Sequence, residues 1–146
     1  MDAGSPDWKT YLRSVSELAA ALQLGLASPD FMPWTRKAHE LRLHAAEKGL
    51  EGPIHDALFK ARFEDGADIG RVDVLVGLAA DLGLDLTETK AVLDVDRYAD
   101  RVAELRRQAD AEGVARTPTV RIGSESLEGP SRIDDLREFL EAARLV

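Results

Sequence analysis

The sequence contains no cysteine. Disulfide exchange and thiolate catalysis both need that side chain, so neither is open to this chain by itself. No disulfide staples the fold either, but 146 residues are enough to bury a core without one. Aromatic residues amount to only 5%, so the core has to rest on Leu, Val, Ile and Ala. Cations are in deficit: 19 Lys and Arg against 27 Asp and Glu leave a formal net charge of −8. That balance argues against nucleic acid, whose phosphates want a basic face. No apolar run approaches the ~20 residues that a membrane-spanning helix needs. The opening, Met1 to Pro6, has neither the basic nor the apolar region of a secretory signal. These absences predict a cytoplasmic protein with no membrane or nucleic-acid partner.

What is present reads as helices first. Ser5 and Pro6 suit the start of a helix running to about Gln23, with Tyr11, Val15, Leu18 and Leu22 on its apolar face. The loop Ser28–Trp34 carries Phe31, Met32 and Trp34, which are expected to tuck onto the core. A second helix is predicted from Thr35 to Lys48, stopped by Gly49, and a third from near Pro53. In the third, Ile54, Leu58 and Ala61 share one face, and Phe59 and Phe63 form an i,i+4 pair beside it. A fourth spans about Arg71 to Leu82 and closes at Gly83. Asp85 and Glu88 read as a capping box for a fifth. Asp96 reads as the N-cap of a sixth that ends at Gly113.

Then the period changes. Thr119-Val120-Arg121-Ile122 is short and β-branched, Gly123-Ser124 suits a two-residue turn, and Glu125–Glu128 is a return strand. Gly129-Pro130 breaks it, and Ser131 with Asp134 starts a final helix bearing Ile133, Leu136, Leu140 and Ala143. The fold class is therefore α+β and mostly helical, with a helical part at residues 1–112 and a ββα part at 113–146, forming one folding unit.

Few residue groups point to independent chemistry. The three histidines, His39, His44 and His55, lack the i,i+4 spacing of a shared metal pair, and a metal site needs three or four converging ligands. They read as structural or solvent-facing, and no metal is expected. Glu64, Asp65 and Asp68 surround Gly66 and suit a solvated turn. Arg106-Arg107 lies among acidic residues and reads as a solvated helix face. There is no Gly-rich phosphate loop and no Gly-x-Ser-x-Gly elbow.

The order helix, Gly113-Val114, Thr117-Pro118, strand, tight turn, strand, Gly129, helix resembles the closing ββα unit of a thioredoxin fold. The stretches from Trp34 to Glu40 and from Ile54 to Gly70 resemble the helical insertion of DsbA-like proteins, especially the FrnE-type branch. The resemblance covers Trp34 to Val146. It implies that Pro118 is cis and that Arg116, Thr117 and Pro118 form a loop offering backbone groups to an extended peptide or to glutathione. It also implies a front unit of strand, Cys-x-x-Cys at a helix start, and second strand. Nothing before Trp34 matches that unit, so the nucleophile, its resolving partner and half the sheet are missing together.

The expectation is thus a DsbA-like, oxidoreductase-related protein without redox cysteines. It would act as a binding or assembly module, with no catalytic residue, no cofactor, and glutathione as a candidate ligand. An incomplete sheet leaves an edge open, which predicts a homodimer or a partner chain that completes it. Two alternatives stand beside this reading. One is an isomerase- or transferase-like enzyme that uses glutathione. The other is a fragment or subunit of a full disulfide oxidoreductase.

Overall fold

A computed structural model describes residues 6–27, 31–129 and 133–144. Along the chain run α1 (Pro6–Ala21), α2 (Arg36–Glu47), α3 (Glu51–Phe63), α4 (Val72–Asp81), α5 (Leu86–Asp94), α6 (Ala99–Ala111), β1 (Thr119–Ile122), β2 (Glu125–Glu128) and α7 (Ile133–Arg144). This is the mostly helical α+β order that the sequence predicts. The caps proposed at Ser5 and Ser131, and the side chains of Trp8 and Tyr11, lie outside the described residues.

The chain divides into two compact units, Met1–Val102 and Ala103–Val146, with the division falling inside α6. In the first, α2 packs on α3, α4 and α5, and α3 and α5 each pack on α4. Helical spacing explains which residues meet. Leu41 and Ala45 of α2, Ile54, Leu58 and Ala61 of α3, and Leu75 and Ala79 of α4 recur every three to four residues and turn inward. With Leu84 and Leu93 they form one apolar core in which Leu41, Ile54, Leu75 and Leu93 have no exposed surface.

The helix ends follow from local chemistry. Asp85 Oδ1 accepts the Glu88 amide at 2.7 Å and starts α5, the predicted cap. At the end of α4, Gly83 takes φ +83° and lets the Leu84 amide reach back to the Ala79 carbonyl at 3.0 Å. α3 starts at Glu51, two residues ahead of Pro53. A proline in the first turn costs nothing there, because that N–H has no partner inside the helix in any case.

Two expectations are corrected in this unit. Asp96 does not cap α6. It takes the left-handed conformation (φ +55°) just past the end of α5, and the Arg97 amide closes on the Val92 carbonyl at 3.2 Å. Asp tolerates that conformation better than most residues, and its carboxylate is held by Arg36 and Lys37 from α2. The second correction concerns the loop before α2. Phe31, Met32 and Trp34 are exposed instead of tucked in, Trp34 by 77%. The loop is fastened by its backbone: the Ala27 amide bonds the Phe63 carbonyl at 2.6 Å, and Arg62 Nη2 bonds the Phe31 carbonyl at 2.9 Å. Gly70 lies so close to Trp34 that an added Cβ would fall 3.0 Å from its nitrogen and 3.1 Å from its oxygen.

In the second unit, α6 ends at Gly113 (φ +79°), with the Val114 amide on the Ala109 carbonyl at 2.9 Å. β1 and β2 pair antiparallel across the Gly123-Ser124 turn, with Thr119 opposite Glu128, Val120 opposite Leu127, Arg121 opposite Ser126 and Ile122 opposite Glu125. α7 packs on β2. No described residue of this unit is fully buried.

Candidate functional site

The three residues singled out in the sequence stand together in one exposed segment, Arg116-Thr117-Pro118, between the end of α6 and β1. Gly113 ends the helix and the β-branched run Thr119-Val120 starts the strand, so the segment is fixed at both ends by local preference. The Thr117–Pro118 peptide bond is cis. The Pro118 carbonyl accepts the Gly129 amide at 2.8 Å, which extends the hairpin register by one step past Thr119. Thr119 Oγ1 donates to the Arg116 carbonyl at 2.5 Å and holds the turn of the segment.

Two groups in this segment are left available. Among the described residues, nothing bonds the Thr117 N–H or C=O, and no carboxylate pairs with the Arg116 guanidinium. The other cation of the hairpin, Arg121, is already neutralised by Glu112 at 2.8 Å. The segment therefore presents a backbone donor and acceptor with one free positive charge beside them. That arrangement recognises an extended backbone or a carboxylate.

The histidines are dispersed. His39 is exposed on α2, His44 is buried on the same helix, and His55 on α3 stacks on Phe59 with ring centroids 4.5 Å apart. Among the described residues no group of three or more His, Asp or Glu side chains is arranged to hold a metal ion.

Two features escaped the sequence reading. Glu40, without exposed surface, accepts Arg36 at 3.0 Å and the Tyr98 amide at 3.3 Å, while Arg36 also reaches Asp96 at 2.8 Å. Lys37 bonds both Asp96 and the Leu93 carbonyl. Hydrogen bonds from Lys37, then from Arg36, hold the Asp96 carboxyl below its ordinary pKa. This network joins the start of α2 to the end of α5 and reads as structural. Only the i,i+4 pair Arg36/Glu40 signals it in sequence. The second feature is an open groove of about 410 Å³ between the end of α1 and α3, with Leu18, Leu22, Phe59 and Phe63 on its walls. The Phe59/Phe63 spacing was its visible trace.

A family model described as a DSBA-like thioredoxin domain matches residues 7–141. The uncharacterized protein YwbO of Bacillus subtilis (strain 168) is 28% identical over 129 residues, which cover 87% of this chain but 64% of that protein. The chain thus spans less than two thirds of the curated relative's length. The crystal structure of a candidate protein disulfide isomerase from Nitrosomonas europaea superposes with a TM-score of 0.67 at 17% identity, over 94% of this chain and 74% of that one. The cytosolic disulfide reductase DsbM from Pseudomonas aeruginosa, solved with GSH, gives a TM-score of 0.51 at 24% identity, over 76% of this chain and 59% of that one.

Proposed function

Because this chain belongs to the DSBA-like thioredoxin domain family, we propose that it works as a binding or assembly module built on that fold. Its ligand is an extended peptide or glutathione, held at Arg116, Thr117 and Pro118. The fold is oxidoreductase-related, but this chain supplies no thiolate, so by itself it moves no electrons between sulfurs. The observation that carries the reading is the exposed Thr117 backbone, with both polar groups unengaged and Arg116 beside it unpaired among the described residues. The DsbM structure solved with GSH supports glutathione as the small ligand and the cytoplasm as the compartment. No described helix is long and apolar enough to cross a membrane.

Titration of the isotope-labelled protein with glutathione, and separately with an extended peptide, tests the site. A saturable NMR shift at the Thr117 amide is expected, weakened about tenfold by Arg116→Ala if a charge-assisted contact is lost. Shifts that leave Thr117 unmoved at millimolar ligand reject the site. In an insulin-reduction assay the chain should match the no-protein control.

The shorter span relative to YwbO favours a second reading, in which this chain is one part of a fuller disulfide oxidoreductase and a separate polypeptide brings the cysteines. Turnover in the insulin assay that appears only on adding a cysteine-bearing partner would favour it over the first. An isomerase- or transferase-like enzyme using glutathione ranks below both, since that class takes its serine from a front helix unit that the sequence before Trp34 does not match.

A further inference from the structure

The hairpin register fixes which backbone groups of β1 are free. Pro118 and Gly129 are a hydrogen-bonded pair, since the Gly129 amide reaches the Pro118 carbonyl at 2.8 Å. Antiparallel pairs alternate between bonded and non-bonded positions. With Val120 opposite Leu127 and Ile122 opposite Glu125, residues 118, 120 and 122 therefore turn their polar backbone groups toward β2. Thr119 and Arg121 turn theirs away. Pro118 has no N–H to give, and the missing donor falls on the β2 side, so the proline leaves the outer edge whole. Among the described residues, β1 thus keeps an unpaired ladder of two N–H and two C=O groups on the side where the two-stranded sheet ends.

The faces of the hairpin differ in the same alternation. Val120, Ile122 and Leu127 lie on one face together with Glu125, and Thr119, Arg121, Ser126 and Glu128 on the other. Ile122 is still 37% exposed. A lone hairpin is marginal in water, whereas three or more strands with an apolar face are not.

We propose that the outer edge of β1 pairs antiparallel with β1 of a second copy, about a twofold axis at Val120. This deepens the assembly reading above and rests on it. In this register Thr119 exchanges both backbone bonds with Arg121 of the second copy, and Arg121 with its Thr119, giving four bonds. The two Val120 residues become a non-bonded pair, the closer kind, and Ile122 falls opposite Pro118 on the same apolar face. The occupant is a second copy because the edge is complementary to itself. β-branched residues meet at the axis, the exposed Ile122 gains a neighbour, and no like charges face each other, Arg121 being neutralised by Glu112. The β2 edge does not offer this. It carries the exposed carboxylates Glu125 and Glu128, which oppose the approach of an acidic chain. The product is a four-stranded sheet, β2-β1-β1-β2, with both α7 helices on one face. An interface this small predicts a weak dimer.

The absence of cysteine makes the test clean, because any introduced thiol is unique. Sedimentation of the intact chain from about 10 μM to about 1 mM, a range suited to weak association, should show a monomer–dimer equilibrium. In a glutathione redox buffer, Val120→Cys should form a disulfide dimer about tenfold faster than Ser126→Cys, since only position 120 meets its counterpart. Arg121→Pro removes one outward N–H without touching a β1–β2 bond and should abolish association while circular dichroism stays native. A strict monomer throughout, a dimer indifferent to Arg121→Pro, or faster cross-linking at position 126 overturns the proposal. These readouts do not involve Thr117. A failed dimer with an intact Thr117 titration rejects this inference alone, and the reverse result rejects the ligand site alone.

Discussion

The two units of this chain differ in how they are held together. The helical unit closes around four large apolar side chains with no exposed surface, drawn from α2 to α5, and ties α2 to α5 through Lys37 on the Leu93 carbonyl, beside the buried Glu40 carboxylate. The ββα unit has no fully buried described residue. It relies on a short ladder, a helix cap and an amphipathic α7 resting on β2. Elements that bury little open at lower free energy, and binding surfaces are drawn from that end of the range. The candidate site lies in the second unit, which is where the contrast places adaptable backbone.

The contrast can be broken most directly in the cores. Leu75→Ala should cost about 3 kcal/mol, because a side chain without exposed surface leaves a cavity that its neighbours cannot fill. Leu127→Ala, at a half-buried strand position, should cost about 1 kcal/mol or less. Urea unfolding of both variants measures the pair, and equal losses would mean that the hairpin is packed as tightly as the bundle. A smaller effect is expected at a helix start. Asp85→Ala removes the bond to the Glu88 amide and should cost about 1 kcal/mol. Hydrogen exchange should then show lost protection in α5 with the hairpin unchanged.

The smallest effect depends on pH. The Asp96 carboxyl is held below its ordinary value of 3.8, chiefly by Lys37 and then by Arg36. Its folded pKa is thus lower than its unfolded one. The ion pairs contribute fully above the unfolded value, and their contribution is lost as the pH falls through the folded value. Asp96→Asn should therefore cost a little stability at neutral pH and almost none once the pH has fallen through the folded value, so that its stability declines less steeply below about pH 4. As Asp96 is about half exposed, added salt should shrink even this difference.

How much of this was legible in the sequence depended on the range of the interaction. Asp85 with Glu88, Gly83 after α4 and the Gly123-Ser124 turn act within a few residues, and each does what its residue type dictates. The segment Arg116-Thr117-Pro118 was legible for the same reason, since a helix stop and a strand start bracket it. Asp96 departs from its expected cap position because its partners, Arg36 and Lys37, lie about sixty residues away, beyond the reach of local pattern. Trp34 was misread because size and apolarity suggest burial, whereas backbone bonds and Arg62 hold that loop down. The outer ladder of β1 is a property of register, and no list of residue types contains it.

The near contact at Gly70 carries one more implication. A Cβ at Gly70 would meet the Trp34 backbone and, at the same spot, the Asp68 carboxylate that accepts the Gly70 amide at 2.9 Å. One extra methyl at that spot would wedge the two strands of the path apart. Only a residue without a side chain lets the bend before α4 lie this near the Trp34 backbone, so that glycine sets the spacing between the entries to α2 and α4.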